Sequence, residues 1–326
     1  MALKDTEYMY ISARIKAREG QTTYYARVKS YLDAKSLLDL CAISGVTLDG
    51  ESEREALENH FDKRVREAFE LVKEGAPEPK YFDFLLYEYD ACNLKVLIKG
   101  SIRKMSVDGM LYEIGTVDAK ALKEALEARR LEGVLPNNMV RAVDEAYEAY
   151  SRTGDARVID LIIDKACFAD MLENSRLCGC DLAQALIKLR IDSINISTLQ
   201  RILKSEIADK ISTFNMAFID GGEIAYERLE RVLSDEEYSL IDALEGSELK
   251  DTIRSLGNEY SFSRLERALD MKYMSLIDEV KYVPFGVEVV CSYLVNTLYE
   301  AKNARIIIAG LAMGLDEDKI RERVRI

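Results

Sequence analysis

The sequence has few of the residues that interrupt helices. Its 326 residues include only 4 prolines and 17 glycines. A protein of strands and tight turns needs frequent turn residues, so this scarcity favours helices. Apolar residues make up 48% of the chain, enough for a sizeable core, and this composition excludes a disordered protein.

Histidine and tryptophan are almost missing. The single histidine, His60, lies in a charged helical stretch, where we expect it to be solvated, and tryptophan is absent. One histidine excludes paired-histidine zinc and di-iron sites and most histidine-based acid–base catalysis. Glycine-rich nucleotide motifs, a nucleophile elbow and paired aspartates are also missing. The sequence therefore predicts a non-catalytic protein with no metal or cofactor.

The cysteines form no disulfide-like framework. Cys178 and Cys180 make a C-x-C rather than the redox C-x-x-C, and no second pair completes a zinc site. We expect all six thiols to be reduced and at least half-buried. They are at positions 41, 92, 167, 178, 180 and 291.

The chain also lacks a net positive charge and long apolar runs. The formal net charge is −13, which disfavours binding to nucleic acid or to anionic lipid. The longest apolar runs, such as residues 304–315, are shorter than the roughly 18 residues of a membrane span. The first residues have no signal-peptide core. These features predict a soluble cytoplasmic protein that reaches a membrane only through another protein.

Helical periodicity runs along most of the chain. In residues 141–151 the apolar positions recur at spacings of 3, 4 and 7. Capping boxes at Ser234 and Ser263 predict two helix starts. We therefore predict an all-α fold with short loops. Breaks are expected at residues 73–80, 133–139, 218–223 and 281–286.

An acid–x–x–Asn motif occurs three times within apolar residues. The pairs are Asp90 and Asn93, Asp192 and Asn195, and Glu300 and Asn303. Asn195 follows Asn93 by 102 residues, and Asn303 follows Asn195 by 108. This period exceeds the roughly 20–50 residues of a solenoid repeat and fits three domain-sized units.

A weaker motif, an aspartate followed within two residues by lysine, precedes each copy. It contains Asp33, Asp164 and Asp270, which lie 60, 31 and 33 residues before their asparagines. The first copy is therefore expected to carry an insertion, at about 45–80. The predicted domains are 1–115, 116–218 and 219–326, leaving open that closing elements are shared between the first and the last.

The acid and the asparagine of each motif share one helical face. An asparagine among apolar residues is at least half-buried and must find hydrogen-bond partners. The favoured interpretation is a structural tie, in which the amide bonds a carbonyl at a helix end. The alternative is a magnesium-dependent enzyme, which requires Asp90, Asp192 and Glu300 to converge on one cavity.

Five segments in order carry a family resemblance. They are residues 8–19 (YMYISARIKARE), 89–100 (YDACNLKVLIKG), 150–172, 190–202 and 303–325. Together they resemble the C/d subunit family of V-type and A-type rotary ATPases, over the whole chain. Glu300 departs from the family pattern, which has aspartate at that position.

The resemblance implies three similar helical domains around a pseudo-threefold axis, forming a funnel with a central cavity. It implies a non-catalytic rotor subunit on the cytoplasmic face, linking the proteolipid ring to stalk subunits of the D and F type. Such a subunit transmits torque between ATP hydrolysis or synthesis and proton or sodium translocation. No nucleic acid and no direct lipid insertion are expected.

Four family-motif positions are expected to have a structural or interface role: Arg14, Asp164, Lys165 and Arg305. The alternative function is a helical interaction scaffold unrelated to rotary ATPases.

Overall fold

The computed structural model describes residues 5–20, 23–257 and 259–326, except the side chain of Asp108. Over these residues all regular elements are helices and no strand occurs, which confirms the all-α prediction. In chain order the helices are α1 (Met9–Glu19), α2 (Tyr24–Tyr31), α3 (Leu37–Ser44), α4 (Glu53–Gly75), α5 (Tyr87–Arg103), α6 (Ala119–Glu127), α7 (Asn137–Thr153), α8 (Arg157–Leu177), α9 (Asp181–Leu203), α10 (Lys210–Ala217), α11 (Tyr226–Ser234), α12 (Leu240–Ala243), α13 (Leu249–Ser255), α14 (Phe262–Glu279), α15 (Val287–Ala312) and α16 (Glu317–Arg321). Short 3-10 turns lie at Asp5–Tyr8, Pro79–Leu85 and Asp108–Met110.

The chain forms two compact units. The first unit comprises both ends of the chain, up to Lys80 and from Asp251 onwards, and the second comprises Tyr81–Lys250. The division into three domains and the funnel around a pseudo-threefold axis stay predictions.

The first unit is built around α15, which packs on α1, α2 and α4. Apolar side chains from these helices are fully buried, among them Phe61 of α4 and Leu294 of α15. Ser52 starts α4 by accepting a hydrogen bond from the Glu55 N–H, which satisfies one of the free donors at the helix N-terminus.

The second unit is built around α8, which packs on α5, α7 and α9. Lys95 of α5 contacts Asp164 of α8, and Lys99 contacts Asp160, so these two helices are antiparallel. A short turn also makes α8 and α9 antiparallel, so α5 and α9 run in the same direction.

Both predicted capping boxes were placed wrongly, by a few residues. Helix α14 starts before Ser263, because Ser261 already accepts a hydrogen bond from the Arg264 N–H. Ser234 ends α11, and the box that caps α12 is formed by Ser239 and Asp242.

The predicted burial of the cysteines is confirmed, whereas the prediction for His60 is wrong. All six cysteines are free thiols; five are buried and Cys92 is half-buried. His60 is half-buried on α4, and its Nε2 atom is buried without a hydrogen-bond partner among the described residues. Three charged residues of α4, Lys63, Arg64 and Glu67, face it from the same side of the helix. In the described part of the chain no helix is long and apolar enough to cross a membrane.

Candidate functional site: the repeated acid–Asn ties

The first two motif asparagines each form two hydrogen bonds to the backbone of one residue, through the oxygen and the nitrogen of the side-chain amide. Asn93 accepts a hydrogen bond from the Tyr112 N–H at 2.7 Å and donates to the Tyr112 carbonyl at 2.9 Å. Asn195 does the same with Ile219, at 2.9 and 2.8 Å. Both side chains are completely buried, so these bonds satisfy groups that water does not reach.

The third asparagine repeats this geometry in the first unit. Asn303 of α15 accepts from the Arg325 N–H at 2.8 Å and donates to the Arg325 carbonyl at 3.2 Å. Its amide also donates to the Tyr24 hydroxyl at 2.7 Å. In every copy the gripped residue follows the asparagine within 19 to 24 residues. Each asparagine thus ties its helix to a later backbone segment, and the role of the three motifs as a structural repeat stays a prediction.

Two of the three acids bind backbone N–H groups just beyond the gripped residue. Asp90 accepts from the Thr116 N–H at 3.0 Å, from the Thr116 hydroxyl at 2.5 Å and from the Val117 N–H at 3.5 Å. Asp192 accepts from the backbone N–H groups of residues 223–224, at 3.0 and 3.2 Å. In both copies the asparagine and the aspartate therefore bind one later segment to their own helix: residues 112–117 to α5 and residues 219–224 to α9.

A glycine precedes the first of these N–H donors in both copies. A Cβ atom on Gly115 would lie 2.4 Å from Asp90 Oδ1, and one on Gly222 would lie 2.1 Å from Asp192 Oδ1. Both distances are too short for real contacts, so only glycine lets the backbone approach the carboxylate this closely.

The two aspartates are buried without a counter-charge among these contacts. Burial raises the pKa of Asp90 and of Asp192 to about 6, and the hydrogen bonds to their carboxylates oppose that rise only in part. Each carboxylate is therefore held in a low-dielectric site by neutral donors.

Glu300 uses different partners. Its carboxylate accepts from Arg27 at 2.7 and 2.9 Å, from the Tyr31 hydroxyl at 2.7 Å and from Arg64 at 3.2 Å. These residues belong to α2 and α4, so the third acid joins α15 to helices near the start of the chain. Glu300 is 1% exposed.

A cation two residues after the asparagine forms an ion pair between helices in two copies. Lys95 contacts Asp164 at 2.5 Å, and Arg305 contacts Asp62. Asp62 precedes Asn93 by 31 residues, the same spacing as from Asp164 to Asn195, and a lysine follows both aspartates directly.

The contacts and the spacing make Asp62 a second candidate for the counterpart of Asp164, beside the predicted Asp33. The side chain of Asp33 is 71% exposed, beyond the end of α2, and lies 3.8 Å from Arg321. An insertion in the first copy is not needed for this alignment and stays a prediction.

The remaining predicted positions lie apart from the ties. Arg14 is partly exposed on α1, 3.3 Å from Glu74, and its guanidinium lies over the Tyr10 ring. The Lys165 Nζ atom is 3.5 Å from the Asn215 carbonyl. Their interface role stays a prediction.

The chemistry of the ties is structural. The three acids bind three separate sets of partners: backbone donors and a threonine hydroxyl for Asp90, backbone donors for Asp192, and two arginines and a tyrosine for Glu300. Within the described ranges no group of three or more His, Cys, Asp or Glu side chains is arranged to hold a metal ion.

Sequence reasoning missed the partners of the ties. The gripped backbone groups at Tyr112, Ile219 and Arg325 leave no side-chain signature. Asp62 was detectable, because its Asp-Lys dipeptide and its spacing to Asn93 repeat those of the second copy.

The family comparison decides the identity. A family model described as the ATP synthase (C/AC39) subunit matches residues 25–323. The chain belongs to this family.

Curated relatives agree over nearly the full length of the chain. The chain is 23% identical to the C subunit of the A-type ATP synthase of Methanocaldococcus jannaschii, over 98% of this chain and 87% of that protein. It is 24% identical to the corresponding A-type ATP synthase protein of Pyrococcus abyssi, over 98% and 91%. It is 23% identical to the C subunit of the V-type sodium ATPase of Enterococcus hirae, over 98% of both. The C/AC39 family therefore includes members of both A-type and V-type complexes, and the predicted family is confirmed.

Proposed function

We propose that this chain is the non-catalytic subunit that links the central stalk to the proteolipid ring of an A/V-type rotary ATPase. It transmits torque between ATP hydrolysis or synthesis and proton or sodium translocation. Its place is on the cytoplasmic face, held by protein contacts, and its partners are the ring and stalk subunits of the D and F type. The observation that carries the proposal is the family match over residues 25–323.

The ties support a mechanical role. A torque-transmitting subunit must resist twisting, and each long motif helix is fastened to a segment about twenty residues later by paired, buried hydrogen bonds. Buried networks with all groups satisfied are rigid. The three acid–Asn ties would then mark equivalent helices of three related domains.

The test is a tagged pull-down from gently solubilised membranes, with an untagged strain as control. We expect the proteolipid, the nucleotide-binding subunits and the central-stalk subunits to co-purify. Recovery of soluble proteins alone would contradict the rotor role and favour the helical scaffold instead.

The acidic chain also suggests a modest polar interface with the ring, separable on demand. We expect added salt to release the purified subunit from isolated rings, because salt screens exposed charges. Binding that does not change with salt would contradict a polar interface while leaving the rotor role intact.

A further inference from the structure

A cavity of about 290 Å³ lies in the first unit, between α1, α2, α4 and α15. Its lining includes three arginines, Arg18, Arg27 and Arg64, together with His60. The acids of the lining are Glu19 and Glu67. Glu300 contacts two of these arginines from outside the lining, so three guanidinium groups meet three carboxylates here.

Two of the arginines share one carboxylate. Arg27 and Arg64 both contact Glu300, which lies outside the lining, so one carboxylate serves two guanidinium groups. Arg18 meets Glu67 at 3.9 Å, close to the limit of an ion pair. A guanidinium has five N–H donors, so Arg18 and Arg64 retain donors for a further acceptor.

His60 supplies the second observation. Its Nε2 atom is buried and has no hydrogen-bond partner among the described residues. A buried polar atom without a partner is costly, and the residue that carries it lines the cavity. Charged groups face His60 from α4 and α15, and further ones line the same cavity. They are Lys63, Arg64, Glu67 and Glu300, with Arg18, Glu19 and Arg27 in the lining.

We propose that this cavity binds a phosphate group, held by Arg18, Arg64 and His60. Guanidinium groups bind phosphate oxygens with paired, charge-assisted hydrogen bonds, and a dianion suits several of them at once. The volume is below that of sites for large organic ligands, so the site takes a single phosphate group, free or at the end of a larger molecule. This proposal does not rest on the proposed rotor function.

The single histidine makes the test direct. In proton NMR of the full chain, the imidazole signal belongs to His60 alone. We expect inorganic phosphate, added at constant ionic strength against chloride, to shift this signal saturably and to raise the pKa of His60. The dianion favours the imidazolium form, whereas burial and Arg64 lower the pKa of His60 in the empty cavity.

Two variants separate binding from general charge effects. We expect Arg18→Gln to weaken phosphate binding about tenfold, because it removes a charge-assisted donor. Arg54→Gln is the control: Arg54 is an arginine of α4, 60% exposed, that pairs with Glu58 outside the cavity. Arg18→Lys, which keeps the charge but not the planar fork, should fall between wild type and Arg18→Gln.

A parallel titration with glycerol 3-phosphate distinguishes the source of the group. Tighter binding than inorganic phosphate supports a phosphate carried on a larger molecule, and equal or weaker binding supports free phosphate. The proposal is overturned if chloride at the same ionic strength shifts the His60 signal as much as either phosphate probe does. It is also overturned if the Arg18→Gln and Arg54→Gln variants bind phosphate equally well.

Discussion

The second unit and the first unit use the same motif with different acids. In the second unit, Asp90 and Asp192 close onto backbone N–H groups that follow them within 26 to 32 residues. In the first unit, Glu300 binds Arg27 and Arg64, which precede it by 273 and 236 residues. The paired hydrogen bonds of the asparagine occur in both units, so the asparagine is the constant part of the motif and the partners of the acid vary.

The difference also sets the electrostatics. Asp90 and Asp192 are bound by neutral donors with no cation in direct contact among the described residues, and burial raises their pKa values. Glu300 has two guanidinium groups within 3.3 Å. The local ties, those of Asp90 and Asp192, are therefore made from hydrogen bonds to neutral donors. The long-range joint, that of Glu300 with Arg27 and Arg64, is made from ion pairs.

Removing the long-range joint should have the largest effect. We expect Glu300→Gln to lower the free energy of unfolding by about 3–5 kcal/mol, because Arg27 and Arg64 lose their buried counter-charge. Urea unfolding measures this loss. Glu317→Gln, at a surface pair with Arg321, is the control and should cost less than about 1 kcal/mol. Equal losses in both variants would contradict the assigned role of Glu300.

The local ties should instead respond to pH. The folded-state pKa of Asp90 is about 6, above its ordinary value of 3.8, so the stability it contributes is full below pH 3.8 and is lost as the pH rises through 6. We expect the stability difference between wild type and Asp90→Asn to shrink by about 2 kcal/mol from about pH 4.5 to pH 7. A difference in the free energy of unfolding between the two proteins that does not change over this pH range would rule out the raised pKa.

Breaking one asparagine tie should have a moderate effect. Asn195→Ala leaves the N–H and carbonyl of Ile219 buried without their partners, and we expect a cost of about 2 kcal/mol. Hydrogen exchange of the Ile219 amide should become faster than in wild type. Asn59→Ala, at an asparagine of α4 whose amide bonds an exposed glutamate, is the control. An Ile219 amide that stays protected would contradict the tie.

The ion pairs between helices should have the smallest effect, and they test the alignment of the repeats. A double-mutant cycle on Lys95 and Asp164 should give a coupling of about 1 kcal/mol, since Lys95 is only 18% exposed. The same cycle on Asp33 and Arg321 should give almost none, because both side chains are exposed. The opposite ranking would favour Asp33 as the counterpart of Asp164.

The fold class and the asparagine ties could be predicted because they leave local signals. Few prolines and glycines indicate helices, and an asparagine such as Asn195 among apolar residues must be buried and bonded. The backbone groups that it grips have no signal of their own, since almost every residue has an N–H and a carbonyl.

Other features depend on tertiary contacts. His60 looks solvated in its charged stretch, but its Nε2 atom is buried in the folded chain, where α4 packs against α15. The glycines at 115 and 222 were the one available hint of the acid ties, and their role needs the carboxylate positions to be recognised.

The first unit is assembled from two distant parts of the chain, and this has a consequence for synthesis on the ribosome. Helix α4 emerges early with apolar residues such as Phe61, but α15, which covers it, lies beyond residue 286. At roughly 5–20 residues per second, that surface waits on the order of ten seconds or more while the whole second unit is made. The second unit can fold as it emerges, whereas the first is completed only with the last helices. The nascent chain should thus depend on chaperones through its early segment.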